Sequence, residues 1–150
     1  MNSVFFYNEV YKNILDVPKD DRHELDMRLS EAVSQVTELS YIARNQGLLA
    51  LEEACMSIPD KGIIKHFGKM MAYIVDGTEP SIIEEIFTLR YFSNGFAAAD
   101  ALEYLLYLNG VLSMQAGDNP RIIEEKLMQF LSEEGEEAYR KNVIEKRDIL

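Results

Sequence analysis

The chain has 150 residues, 47% hydrophobic and 27% charged, with a formal net charge of −11. That is enough sequence for one domain with a sizeable core, and the apolar share argues against disorder. The acidity argues against nucleic acid and anionic membrane surfaces, which need clustered lysine and arginine.

A single cysteine, Cys55, rules out an internal disulfide framework and suits a reducing cytoplasm. The opening MNSVFFYNEVYKN lacks a basic region and a long apolar stretch, so it does not read as a signal peptide. Residues 3–16 then carry Val4, Phe5, Tyr7, Val10, Tyr11, Ile14 and Leu15 at spacings that fit a short amphipathic helix. Pro18 closes it, since the residue before a proline resists helical geometry. From about Asp20 to Ile58 the pattern is again helical, with Leu25, Leu29, Val33, Val36, Ala43 and Leu51 on one stripe. Gly47 interrupts this run at a cost of about 1 kcal/mol against alanine. It is either a tolerated glycine where another backbone passes close, or the junction of two helices.

Pro59-Asp60 marks a turn. The next helix carries Ile63, Ile64, Phe67, Met70, Met71, Ile74 and Val75 and stops at Asp76-Gly77. Thr78 is expected to cap the following helix, with Pro80 in its first turn; Ile82, Ile83, Ile86, Phe87 and Leu89 are its expected buried face. Ser93-Asn94-Gly95 breaks the chain before a helix that is apolar on nearly all sides. Its uncharged run, Tyr104 to Gly117, falls short of the roughly 20 apolar residues that span a bilayer, and so predicts the central helix of a bundle.

Gly117-Asp118-Asn119-Pro120-Arg121-Ile122-Ile123-Glu124-Glu125 repeats Gly77-Thr78-Glu79-Pro80-Ser81-Ile82-Ile83-Glu84-Glu85 forty residues on. A weaker echo pairs the segment from Gly47 with that from Gly110. Together they suggest related helical hairpins without a solenoid repeat. Glu84-Glu85 and Glu124-Glu125 read as acids at helix starts. The tail 133–150 reads as a solvated, charged helix with Glu136/Arg140 and Glu137/Lys141 four apart.

No catalytic pattern is legible. His23 and His66 stand in no metal-binding arrangement, no phosphate loop is present, and Cys55 reads as a small core residue. The expectation is a non-enzymatic protein without metal or cofactor. Arg44 and Glu52 stand out as opposite charges eight residues apart, about 80° around and 12 Å along an unbroken helix.

Three stretches resemble the cytoplasmic segments of the MotA family of bacterial flagellar stator proteins. Tyr41-Ile-Ala-Arg-Asn-Gln-Gly-Leu-Leu-Ala-Leu-Glu52 resembles its Arg-x-x-Gly-Leu-Leu-Ala-Leu-Glu. Val75-Asp-Gly-Thr-Glu-Pro80 resembles its Val-Asp-Gly-Thr-Asp-Pro. Gly110-Val-Leu-Ser-Met-Gln-Ala-Gly-Asp-Asn-Pro-Arg-Ile-Ile-Glu-Glu-Lys-Leu127 resembles its C-terminal Gly-Ile-Leu-Ala-Ile-Gln-x-Gly-x-Asn-Pro-Arg-x-x-Glu-Glu-Lys-Leu. The family's four transmembrane helices and ion-path prolines have no counterpart here, so the resemblance implies the fold of its cytoplasmic helices and not ion conduction. It also implies that the residues matching Arg44 and Glu52 engage charged residues of the rotor protein FliG.

The sequence therefore predicts an all-α, single-domain helical bundle over 1–150, with MotA-like segments 36–91 and 100–131 and a charged C-terminal helix 133–150. The expected function is protein–protein interaction in the cytoplasm through Arg44 and Glu52, with a flagellar rotor or stator component as partner and an effect on motility. The alternative is a divergent helical adaptor with a non-flagellar partner. Oligomeric state stays open.

Overall fold

The uncharged stretch after Tyr104 lies at the middle of the molecule. A computed structural model describes residues 3–149, and among them every regular element is helical. These are α1 (Ser3–Leu15), a 3-10 turn (Lys19–Asp21), α2 (Arg22–Gln46), α3 (Leu48–Cys55), α4 (Ile64–Val75), α5 (Pro80–Asn94), α6 (Ala98–Gln115), α7 (Pro120–Met128) and α8 (Glu133–Tyr139). A π turn (Arg140–Ile144) and α9 (Glu145–Ile149) end the described chain. α6 is buried on all sides from Ala101 to Leu108, as its composition predicts, with α1, α2, α4, α5 and α7 packed around it. Each large aliphatic side chain taken fully out of water here, such as Leu102, Leu106 and Leu108, contributes about 1.5–3 kcal/mol.

The helices alternate in direction. Arg28, early in α2, pairs with Asp100 and Glu103, early in α6, and Val36 lies against Gly110, so α2 and α6 run parallel. Phe67 stacks on Tyr107 at 4.6 Å and Gln115 donates to the Thr78 carbonyl at 2.6 Å, so α4 runs the same way. Each parallel helix ends in a glycine with positive φ (Gly47 89°, Gly77 74°, Gly117 82°) and is followed by a helix that turns back. The bundle is thus three hairpins, α2/α3, α4/α5 and α6/α7, with their turns at one end.

The forty-residue repeat is a repeat of geometry. The N–H groups of Gly77 and Thr78 donate to the Ile74 and Tyr73 carbonyls; those of Gly117 and Asp118 donate to Met114 and Ser113 in the same pattern. Such paired bonds satisfy the last carbonyls of a helix and require a left-handed residue, hence glycine. Pro80 and Pro120 then occupy the first helical position. At matching places Ile83 and Ile123 are buried, and Ile82 and Ile122 are exposed. The weaker echo has no such basis: Gly47 is a helix break, whereas Gly110 is buried inside α6.

Several expectations are corrected. The cap of α5 is Glu79, not Thr78, because Thr78 belongs to the closing turn of α4. Ile82 and Leu89 face solvent, leaving Ile83, Phe87 and Tyr91 as the buried side of α5. α1 turns Val4, Tyr7, Tyr11 and Leu15 outward and buries Phe6 and Asn13. Asn13 goes inward because it accepts from the Ala98 N–H at 2.9 Å and donates to the Tyr91 hydroxyl at 3.1 Å. Those bonds hold the start of α6, where Ala98 has φ 51°.

The tail is not simply solvated. Tyr139 is buried, and the Asp26 carboxylate accepts from the N–H and hydroxyl of Ser132, the cap of α8. The Glu136–Arg140 pair forms at 3.2 Å; Glu137 and Lys141 make no ion pair among the described residues.

Candidate functional site

Arg44 and Glu52 fall on the two arms of the Gly47 turn. The Gly47 N–H donates to the Ala43 carbonyl at 3.2 Å, and its own carbonyl accepts from Leu51 N–H at 3.1 Å. One residue, at φ 89° and ψ −177°, both closes α2 and opens α3. Gly47 is therefore a helix junction, and the unbroken-helix geometry expected for Arg44 and Glu52 does not apply. α3 folds back along α2, which brings Pro59 into one cavity wall with Gln35 and Glu38.

Both side chains are exposed, and neither makes a hydrogen bond or ion pair among the described residues. α3 is held by Leu51, which is fully buried, with Ala54 and Cys55 half-buried. Leu48, Leu49 and Met56 are left largely in solvent, the last two at 75% and 77% exposure. The turn and the exposed side of α3 thus present one cation, the carboxylates of Glu52 and Glu53, and three large apolar side chains. Sequence periodicity missed the apolar part, because a short helix rich in leucine and alanine does not reveal which leucine faces in.

Several other charged groups are engaged internally. Arg28 Nε donates to Glu103 at 2.6 Å and its Nη2 to Asp100, tying α2 to α6. Glu103 is nearly buried, and burial together with this carboxylate pushes the Tyr107 hydroxyl well above the usual phenol range. Asp118 accepts from Ser113 and from Lys126 at 2.9 Å, and those bonds hold its carboxyl below the usual range. Glu124 is not a helix-start acid. It is buried, accepts from Tyr139 at 2.7 Å and pairs with Arg147 at 2.7 Å. Sequence reasoning missed this cluster because its members lie fifteen and twenty-three residues from Glu124.

The histidines are apart in role. His23 is exposed on α2, while His66 is buried edge-on against Phe96 and Tyr104, with ring centroids at 5.4 and 5.5 Å. Burial, then Lys65, Lys69 and Arg90, lower its pKa. Cys55 is half-buried, and burial raises its thiol pKa, which disfavours the nucleophilic thiolate.

Among the described residues no group of three or more His, Cys, Asp or Glu side chains is placed to hold a metal ion, and no helix is long and apolar enough to cross a membrane. No known protein-family model matches the chain, and no curated protein matches it.

Proposed function

We propose that this chain is a non-enzymatic, cytoplasmic protein–protein interaction module of the MotA cytoplasmic kind. It binds a flagellar rotor or stator component through the turn that carries Arg44 and Glu52, and so modulates motility. The observation that carries the reading is the freedom of these two side chains. Arg28, Arg140 and Arg147 are each engaged by carboxylates of the chain itself, whereas Arg44 and Glu52 stand exposed on the arms of one turn. An exposed charge with no internal partner is available to steer an encounter, and Leu48, Leu49 and Met56 supply apolar surface beside it.

The resemblance of residues 41–52 to the family's rotor-facing segment makes FliG the first partner to try. The test is a titration of the full chain with the C-terminal domain of FliG at low and high salt. The expected result is a complex that weakens as salt rises, because screening reduces the attraction between exposed charges. Absence of any complex at low salt would remove the flagellar reading and leave a helical adaptor with another partner. Flagellar or chemotaxis genes beside the coding sequence would favour the first.

A further inference from the structure

Glu124 has 3% of its surface exposed, and a buried carboxylate persists only when it is paired and hydrogen-bonded. Arg147 pairs it through two bonds, Nη2 to Oε1 at 2.7 Å and Nη1 to Oε2 at 3.2 Å. That fork is what a planar guanidinium makes and a lysine ammonium does not. The Tyr139 hydroxyl donates to Oε2 at 2.7 Å and fixes the carboxylate, and the Tyr41 ring lies 5.8 Å from Arg147 Cζ, within cation–π range. Arg140, nearby, is held by Glu125 and Glu136 and does not compete for Glu124.

The receiving groups come from α2, α7 and α8, whereas the cation comes from α9. That helix buries none of its own residues; it continues from the π turn, whose Val143 and Ile144 pack against the core, and Arg147 links it to α7. Eight residues of uniform α-helix would set Tyr139 and Arg147 about 80° apart; the π turn between them widens the winding and brings both onto Glu124. The Arg147 side chain keeps 40% of its surface in solvent and borders an open cavity of about 610 Å³, lined also by Asn119, Arg121 and Ile122.

We propose that Glu124, Tyr139 and Tyr41 form a recognition socket for an arginine guanidinium, which Arg147 of the chain's own C-terminal segment fills and which an arginine-bearing peptide fills when that segment is displaced. The segment is then a tethered competitor for the site. This proposal is independent of the reading of Arg44 and Glu52.

The experiment uses the full chain and its Arg147→Ala variant, each titrated with N-acetyl-arginine amide, N-acetyl-lysine amide and N-acetyl-citrulline amide, and followed by NMR shifts of the α7 and α8 amides. In Arg147→Ala the arginine probe should bind about ten-fold more tightly than the lysine probe, with the neutral citrulline probe weaker still. The unaltered chain should bind the arginine probe about ten-fold more weakly than the variant, because a tethered ligand acts at a high effective concentration. Adding Glu124→Gln to the variant should abolish the response. Equal affinity for the arginine and lysine probes, equal affinity of the two proteins, or no binding by a folded variant overturns the proposal. Should Arg147→Ala not fold, Arg147→Lys keeps the charge, loses the fork and is judged by the same outcomes.

Discussion

Val36 Cγ1 lies 2.7 Å from where a Cβ on Gly110 would stand, and Leu127 Cδ1 lies 3.2 Å from it. A glycine in mid-helix lowers helix propensity by about 1 kcal/mol, yet at this position it lets α2 and α7 close onto the central helix. Val36 is β-branched and cannot swing aside. Gly110→Ala should therefore lose about 1–2 kcal/mol net, overpacking exceeding the propensity gain. Denaturant unfolding with an unchanged m-value measures it; a stabilised variant would show that α2 has room to shift.

Leu105 is buried at 4% exposure, whereas Leu112 is only half-buried. Truncation of Leu105 to alanine should cost roughly 2–5 kcal/mol, and the same change at Leu112 clearly less, since less apolar surface is lost and water can fill the gap. Equal losses in denaturant melts would misplace the core.

Arg28→Ala would leave the nearly buried Glu103 carboxylate without its cation. A loss of about 2–3 kcal/mol is expected, below the range for a fully buried pair because Arg28 is partly solvated. Adding Glu103→Leu should recover much of it, because the buried charge is gone and Asp100, the other partner of Arg28, is exposed enough for water to solvate it. A double variant no more stable than Arg28→Ala contradicts this account.

His66 gives a pH dependence. Its folded pKa is lowered from an ordinary value of 6.5, first by burial. The unfolded chain therefore binds the proton more readily, and stability rises with pH. The contribution is fully present above about 6.5 and is lost as pH falls through the lower folded value. The stability of the native chain relative to His66→Phe should fall from pH 7.5 to pH 5; a constant difference would show that His66 titrates alike in both states.

Much of the fold was legible from periodicity and turn chemistry. Gly77-Thr78-Glu79-Pro80 and Gly117-Asp118-Asn119-Pro120 each specify a left-handed close and a proline start, and both turns formed at those residues. The central helix was legible because Leu102, Leu106 and Leu108 leave it no polar face. What failed was the choice of inner face in α1, where a polar residue turns inward: that side is decided by the long-range bonds of Asn13 to Ala98 and Tyr91. The tail failed for a related reason: Tyr139 and Arg147 look like members of a charged surface helix until Glu124, distant in sequence, is brought beneath them.

Arg44 and Glu52 carry the functional account, and a charge-swap cycle tests it most directly. Arg44→Glu and Glu52→Lys should each leave folding stability within about ±0.5 kcal/mol, as for surface substitutions without internal partners. Each should weaken the complex with the C-terminal domain of FliG, less so at high salt. The measurement is the affinity of Arg44→Glu for a domain in which a facing acidic residue is changed to lysine. Recovery of most of the lost affinity, specific to that pairing, is the result the account predicts. Wild-type affinity for both single variants, or a loss that no reversal on the domain restores, would contradict it.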